Sequence, residues 1–76
     1  MTEVEIEYCV PCGFLDRAED VQHAICSTFG ERVDRVALVS GDKGVFKVRA
    51  DGDLVFDKDE HEFDVRAIVD EVRAYV

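Results

Sequence analysis

Two cysteines three positions apart, in Tyr8-Cys9-Val10-Pro11-Cys12-Gly13, are the residues of this chain best suited to chemistry. They fall where a strand-like alternation gives way to helix-like spacing. A helix N-terminus presents unpaired N–H groups and a partial positive charge, which favour a thiolate over a thiol. Two intervening residues let the sulfurs close a small ring, so a mixed disulfide on one can be resolved by the other. Pro11 suits the first helical turn, where a missing N–H costs no hydrogen bond. A CxxC beside a βαβ pattern in an intracellular chain reads as a redox pair.

Other roles for these cysteines compete less well. Free cysteine is often buried filler, but two at this spacing on a strand–helix junction make a poor case for it. Zinc needs four ligands, and the remaining candidates are His23, Cys26 and His61. On one continuous helix Cys26 lies ~21 Å from Cys12 and His23 ~16 Å away. Only His61 can fold back, so an intrachain zinc site fails and a zinc shared between two chains stays open. Cys26 itself sits beside the apolar stripe of its helix and is expected as packing filler. His23 is expected on the solvated helix face, and His61 in a solvated acidic segment. Ser27 and Ser40 have no evident base beside them. Asp51-Gly52-Asp53 places its glycine too early for a calcium loop, and residues 40–44 match neither a P-loop nor GxGxxG.

The elements that must position the pair follow from periodicity. Residues 3–8 alternate, with Val4, Ile6 and Tyr8 on one side and Glu3, Glu5 and Glu7 on the other, which predicts a strand with one wet face. Phe14, Ala18, Val21, Ile25 and Phe29 form a helical stripe that Gly30 closes. Residues 33–39 are apolar and β-branched, a second strand, and residues 40–44 read as a loop. Residues 45–50 alternate again, with Phe46, Val48 and Ala50 on one face and Val45, Lys47 and Arg49 on the other. Asp51-Gly52 is a hairpin turn leading to a strand at 54–56. An acidic stretch over 57–64 precedes a last helix carrying Val65, Ile68, Val69, Val72, Tyr75 and Val76, with Asp64 as its N-cap. The order β-α-β-β-β-α, with one apolar stripe per helix, predicts a single two-layer α/β domain over 1–76. A four-stranded mixed sheet carries both helices on one face. The first β-α-β is expected as a right-handed parallel crossover.

Composition narrows the partners. The 76 residues hold 18 acids against 9 bases, a net charge of −9. Nucleic-acid phosphates need a basic surface and anionic membranes attract one, so both are disfavoured. So many acids, with only three lysines among the bases, suit concentrated salt, where self-repulsion is screened. The longest apolar run has four residues, against ~20 for a membrane span. The opening Met1-Thr2-Glu3-Val4-Glu5 lacks the basic and apolar segments of a secretory signal, so the cytoplasm is the expected compartment.

The run Val4-Glu5-Ile6-Glu7-Tyr8-Cys9-Val10-Pro11-Cys12-Gly13-Phe14 resembles the opening of the selenoprotein W-like proteins, the Rdx or SelT/SelW/SelH family, with their Tyr-Cys-x-x-Cys/Sec-Gly-aromatic signature. Gly44-Val45-Phe46-Lys47-Val48 before the Gly52 turn is similar to the family's second block. The resemblance implies a compact thioredoxin-like fold and a thiol oxidoreductase with Cys9 and Cys12 at the redox positions. Selenocysteine, where members have it, takes the place of Cys12. Phe63-Asp64 stands where many members carry Phe-Pro. The cis-proline that thioredoxins place opposite their CxxC has no counterpart, because Pro11 is the single proline.

In place of that clamp, a sheet order of 2-1-3-4 in the implied fold takes the loop over 40–44 across the carboxyl end of the first strand. It sets Gly41 and Gly44 beside Cys9 and offers bare backbone to a substrate peptide, with Val10 and Pro11 on the other rim. Lys43 is a candidate to favour the thiolate, against its plainer role as a solvated loop lysine, and Asp16 opposes it. Position alone puts Cys9 at the exposed mouth of the helix as attacking thiol, with Cys12 as the buried resolving one. The family's selenocysteine argues the reverse. The expected activity is thiol–disulfide exchange on protein or low-molecular-weight disulfides by a monomer. No cofactor or metal is implied, and an external thiol or reductase supplies the electrons. The rival from another class is a non-enzymatic adaptor that senses redox state or passes sulfur through the CxxC rim.

Overall fold

The computed structural model describes residues 2–76. Strand β1 (Thr2–Cys9) is followed by helix α1 (Leu15–Phe29), a short 3-10 turn (Gly30–Arg32), β2 (Val33–Gly41), β3 (Phe46–Ala50), β4 (Asp53–Asp57) and helix α2 (Val65–Arg73). The sheet order is β2-β1-β3-β4, with β1 parallel to β2 and antiparallel to β3, and β3 antiparallel to β4. This is the expected topology, and it is that of a compact thioredoxin-like domain.

Alternation decides which side of the sheet the helices cover. Val4 and Ile6 of β1, with Phe46 and Val48 of β3 and Phe56 of β4, are buried against Ala18, Val21, Ile25 and Phe29 of α1 and Ile68, Val69 and Val72 of α2. The opposite face stays wet and is held by charge. Glu5 pairs with Arg49 and Glu7 with Lys47 across β1 and β3, and the Arg49 guanidinium reaches Glu7 diagonally at 3.2 Å. A cross-strand pair of this kind contributes ~0.2–1 kcal/mol.

Local chemistry explains the ends of the elements. Asp51 and Gly52 both take positive φ (51° and 87°), the geometry of the two-residue hairpin loop that joins β3 to β4. The Asp64 carboxylate accepts hydrogen bonds from the N–H groups of Arg66 and Ala67, as an N-cap should. The last helix ends at Arg73, earlier than its apolar spacing implies. Tyr75 and Val76 continue as hydrogen-bonded turns, the carbonyl of Tyr75 receiving the hydroxyl of buried Thr2 at 2.5 Å. That contact ties the two ends of the chain together.

Around the cysteines three further boundaries differ from the expectation. β1 runs on through Cys9, because Cys9 pairs with Gly41. β2 correspondingly extends through Ser40 and Gly41, which were expected in a loop. Helix α1 begins only at Leu15, so Pro11 and Cys12 precede the helix instead of opening it. Among the described residues no helix is long and apolar enough to cross a membrane.

Candidate active site

The CxxC occupies the turn between β1 and α1 at the carboxyl end of the central strand. Cys9 is the last residue of β1. Its N–H donates to the Val45 carbonyl at 2.8 Å, and the next N–H, that of Val10, donates to the Gly41 carbonyl at 3.1 Å. A β-turn follows, closed by the Gly13 N–H on the Val10 carbonyl at 3.1 Å. Pro11 takes its second position, where a fixed φ is pre-set for turning. Gly13 has φ 77°, a conformation that any L side chain would strain. The Phe14 N–H then reaches back to the Cys9 carbonyl at 3.4 Å, closing the segment upon itself. Cys9 and Cys12 are joined as a disulfide, with Cα atoms 5.3 Å apart.

Accessibility reverses the expected order of the two sulfurs. Cys9 is fully buried, and Cys12 is exposed. The physical reason is the sheet: Cys9 is clamped between Gly41 and Val45 as a strand residue, whereas Cys12 rides a turn that projects beyond it. Helix α1 starts beyond both cysteines. Its N-cap is Phe14, which makes no side-chain cap bond. The first N–H groups of the helix therefore stand without a side-chain acceptor, three residues beyond Cys12.

The substrate-contact candidates divide. Val10 is 51% exposed and Pro11 is exposed, forming an open rim beside Cys12. Gly41 is beside Cys9, as expected, but not as bare backbone awaiting a peptide. Its carbonyl is bonded to Val10, and a Cβ there would meet Val45 Cγ1 at 2.6 Å and Glu7 at 3.3 Å. Gly44 does look onto open space, with nothing within 4 Å of a Cβ. Lys43 is an exposed turn residue that makes no hydrogen bond or ion pair among the described residues.

Cys26 is a free thiol and is exposed, which corrects its assignment as packing filler. It lies on the α1 face that carries Glu19, Asp20, Gln22 and His23, around a shallow cavity of about 560 Å³. His23 is exposed as expected, yet its Nε2 lies 3.4 Å from the Ser27 hydroxyl one turn on, so Ser27 does have a base beside it. His61 is exposed, with its ring 6.0 Å from that of Phe56. Among the described residues no three metal-ligating side chains gather.

One feature beside the motif was not anticipated. Phe14, Phe46, Phe56 and Phe63 pack edge to face, with centroids 5.4–6.4 Å apart. The Arg17 guanidinium lies 5.1 Å from the centre of Phe14 and 5.3 Å from that of Phe63, and the Lys58 ammonium lies 5.7 Å from Phe14. Phe14 and Arg17 stand at i, i+3, a pairing visible in the sequence; Phe63 and Lys58 arrive from the segment that follows β4.

The model of the Rdx family matches residues 3–74. The chain belongs to the Rdx family. Its fold recurs in a crystal structure from Bordetella parapertussis, with TM-score 0.92, 31% identity, and 99% of this chain and 98% of that one covered. It recurs also in a selenoprotein W-related protein from Vibrio cholerae, with TM-score 0.90, 22% identity, and 97% and 95% covered. No curated protein matches the sequence significantly. Membership of the Rdx family and the closed CxxC pair together point to redox function.

Proposed function

We propose that this Rdx domain catalyses thiol–disulfide exchange, with Cys12 as attacking thiol and Cys9 as resolving thiol. The observation that carries the reading is the asymmetry of one disulfide: an exposed sulfur on a turn joined to a buried sulfur on a strand. Exposure decides which thiolate a substrate disulfide can reach. In the reduced protein the Cys12 thiolate attacks one sulfur of R–S–S–R. A Cys12–S–S–R bond forms and RS⁻ leaves. Cys9 loses its proton to solvent or to a departing thiolate and attacks the Cys12 sulfur, forming the Cys9–Cys12 bond and releasing the second RS⁻. The protein dithiol is oxidised by two electrons and the substrate is reduced to two thiols. An external thiol or reductase returns the electrons by the reverse steps.

Trapping tests this order. On a Cys26→Ala background, Cys9→Ser is expected to accumulate a stable mixed disulfide through Cys12 when mixed with 2-hydroxyethyl disulfide, read by mass spectrometry of the acid-quenched protein. Cys12→Ser is expected to trap little. Trapping only through Cys9 would reverse the roles. If neither thiol reacts faster than free cysteine, exchange is not the function and the adaptor reading takes its place.

A further inference from the structure

We propose that Arg17 and Lys58 form a recognition site for carboxylate-bearing low-molecular-weight disulfides, held beside Cys12 by the Phe14 ring. The inference deepens the exchange reading by naming a substrate class. Phe14 lies two residues after Cys12, and its N–H is tied to the Cys9 carbonyl, so its backbone belongs to the same closed turn as the sulfurs while its half-buried ring packs against Phe46. Two cations converge on that ring, at 5.1 and 5.7 Å from its centre. An aromatic face stabilises a cation but does not neutralise it, so both side chains keep their charge at this ring.

Their carboxylate partners are few. Among the described residues the ion pairs are Arg49–Glu7, Lys58–Asp59 and Arg73–Asp70. Arg17 takes part in none of them, although the chain holds two acids for each base. Lys58 has Asp59 at 3.5 Å, a carboxylate that is 78% exposed and hence weakly held. An incoming carboxylate gains a charge-assisted contact with these cations. The size of the ligand follows from the rest of the surface. Asp16, Glu19 and Asp20 on α1 and the acids over 57–64 repel an acidic protein as a whole. A small dianion presents far less negative surface to those acids, and screening over about one Debye length (~8–10 Å) damps their repulsion. Val10 and Leu15, 51% and 45% exposed, flank the same segment of chain and offer apolar surface to a short carbon frame.

The test compares three disulfides of similar size: dianionic 3,3′-dithiodipropionate, neutral 2-hydroxyethyl disulfide and dicationic cystamine. The reduced full chain carrying Cys26→Ala is mixed with each, and Cys9–Cys12 bond formation is followed by acid quench and mass spectrometry. Arg17→Gln and Lys58→Gln are each expected to lower the ratio of anionic to neutral rate roughly three- to tenfold. Arg17→Lys is expected to retain most of the ratio. Arg35→Gln, on the residue that pairs with Glu3 at the opposite end of β1, removes the same charge elsewhere and is expected to leave the ratio in place. An unchanged ratio in both Gln variants, or an equal fall in Arg35→Gln, overturns the recognition site while leaving exchange intact. If the neutral disulfide fails to oxidise the pair in the parent protein, the exchange reading falls and this inference with it.

Discussion

Substituting Gly41 with alanine tests how the buried cysteine is held. The added Cβ would sit 2.6 Å from Val45 Cγ1, about 1 Å inside ordinary carbon–carbon contact. Glu7 also lies at 3.3 Å, but its long side chain can swing into solvent. Val45 cannot yield so easily: it is stiff about χ1, and its carbonyl accepts the Cys9 N–H at 2.8 Å. Moving its backbone would loosen the bond that seats Cys9. Turning it off its rotamer costs about 0.5–1.5 kcal/mol, and overpacking of this kind costs about 1–3 kcal/mol in total. Reduced freedom of the unfolded chain returns about 0.4–1 kcal/mol. The expected net loss is thus about 1–2 kcal/mol, a fall in Tm of roughly 5–15 °C for a domain of this size. Thermal and urea denaturation followed by circular dichroism read the loss, and a double-mutant cycle identifies its cause. Val45→Ala removes the clashing methyl, so the Gly41→Ala/Val45→Ala pair should lose less than the sum of the single variants, by at least about 0.5 kcal/mol. A neutral or stabilising Gly41→Ala, or strict additivity in the cycle, refutes the packing argument.

Three further outcomes follow from contacts elsewhere. Asp64→Ala removes the acceptor of the Arg66 and Ala67 N–H groups, at 3.0 and 3.4 Å, and is expected to cost about 1 kcal/mol in urea denaturation, with Asp64→Asn largely sparing it. The Tyr75 phenol is held above its ordinary value of 10.0 by desolvation, then by the charge and hydrogen bond of Asp53. Its contribution to stability is therefore complete below pH 10 and is lost as the pH rises through the folded value. Ultraviolet titration of the phenolate should shift down in Asp53→Asn, and an unmoved curve contradicts the assignment. Cys26 in the oxidised protein is expected to alkylate at the rate of an exposed thiol, and Cys26→Ala to change stability by less than about 0.5 kcal/mol; slow labelling would place it in the core after all.

What the sequence disclosed and what it hid divide along a physical line. Periodicity is a local signal. The faces of β1, β3 and α1 could be read from Val4–Ile6, Phe46–Val48 and Ala18–Val21–Ile25, and those faces pack as expected. The sheet order was suggested by the fold that the family resemblance implies, and the crossover rule supplied only the parallel first β-α-β. The exposure of Cys26 follows from the limited width of the buried stripe. Leu15, at the same angle on the helix, is itself 45% exposed, and angular closeness to a stripe did not imply cover. The cations on Phe14 were half legible, because Arg17 shares its helix while Lys58 and Phe63 are brought in by the chain beyond β4.

The roles of the two redox cysteines turned on the least local fact of all. Position before a helix puts Cys9 nearer the mouth and Cys12 further inside, and that argument would hold if the helix began at Pro11. Helix α1 instead starts at Leu15, because β1 continues to pair with Gly41 and Val45, residues more than thirty positions downstream in sequence. The strand thereby claims Cys9 and buries it. The chain must then leave the sheet within a few residues, and Pro11 and Gly13 make the turn that lifts Cys12 clear. Burial of one sulfur and exposure of the other are thus two consequences of where a strand stops. A substitution that shortened the pairing of Cys9 with β2 would be expected to narrow the difference in reactivity between the two thiols, even with the CxxC itself untouched.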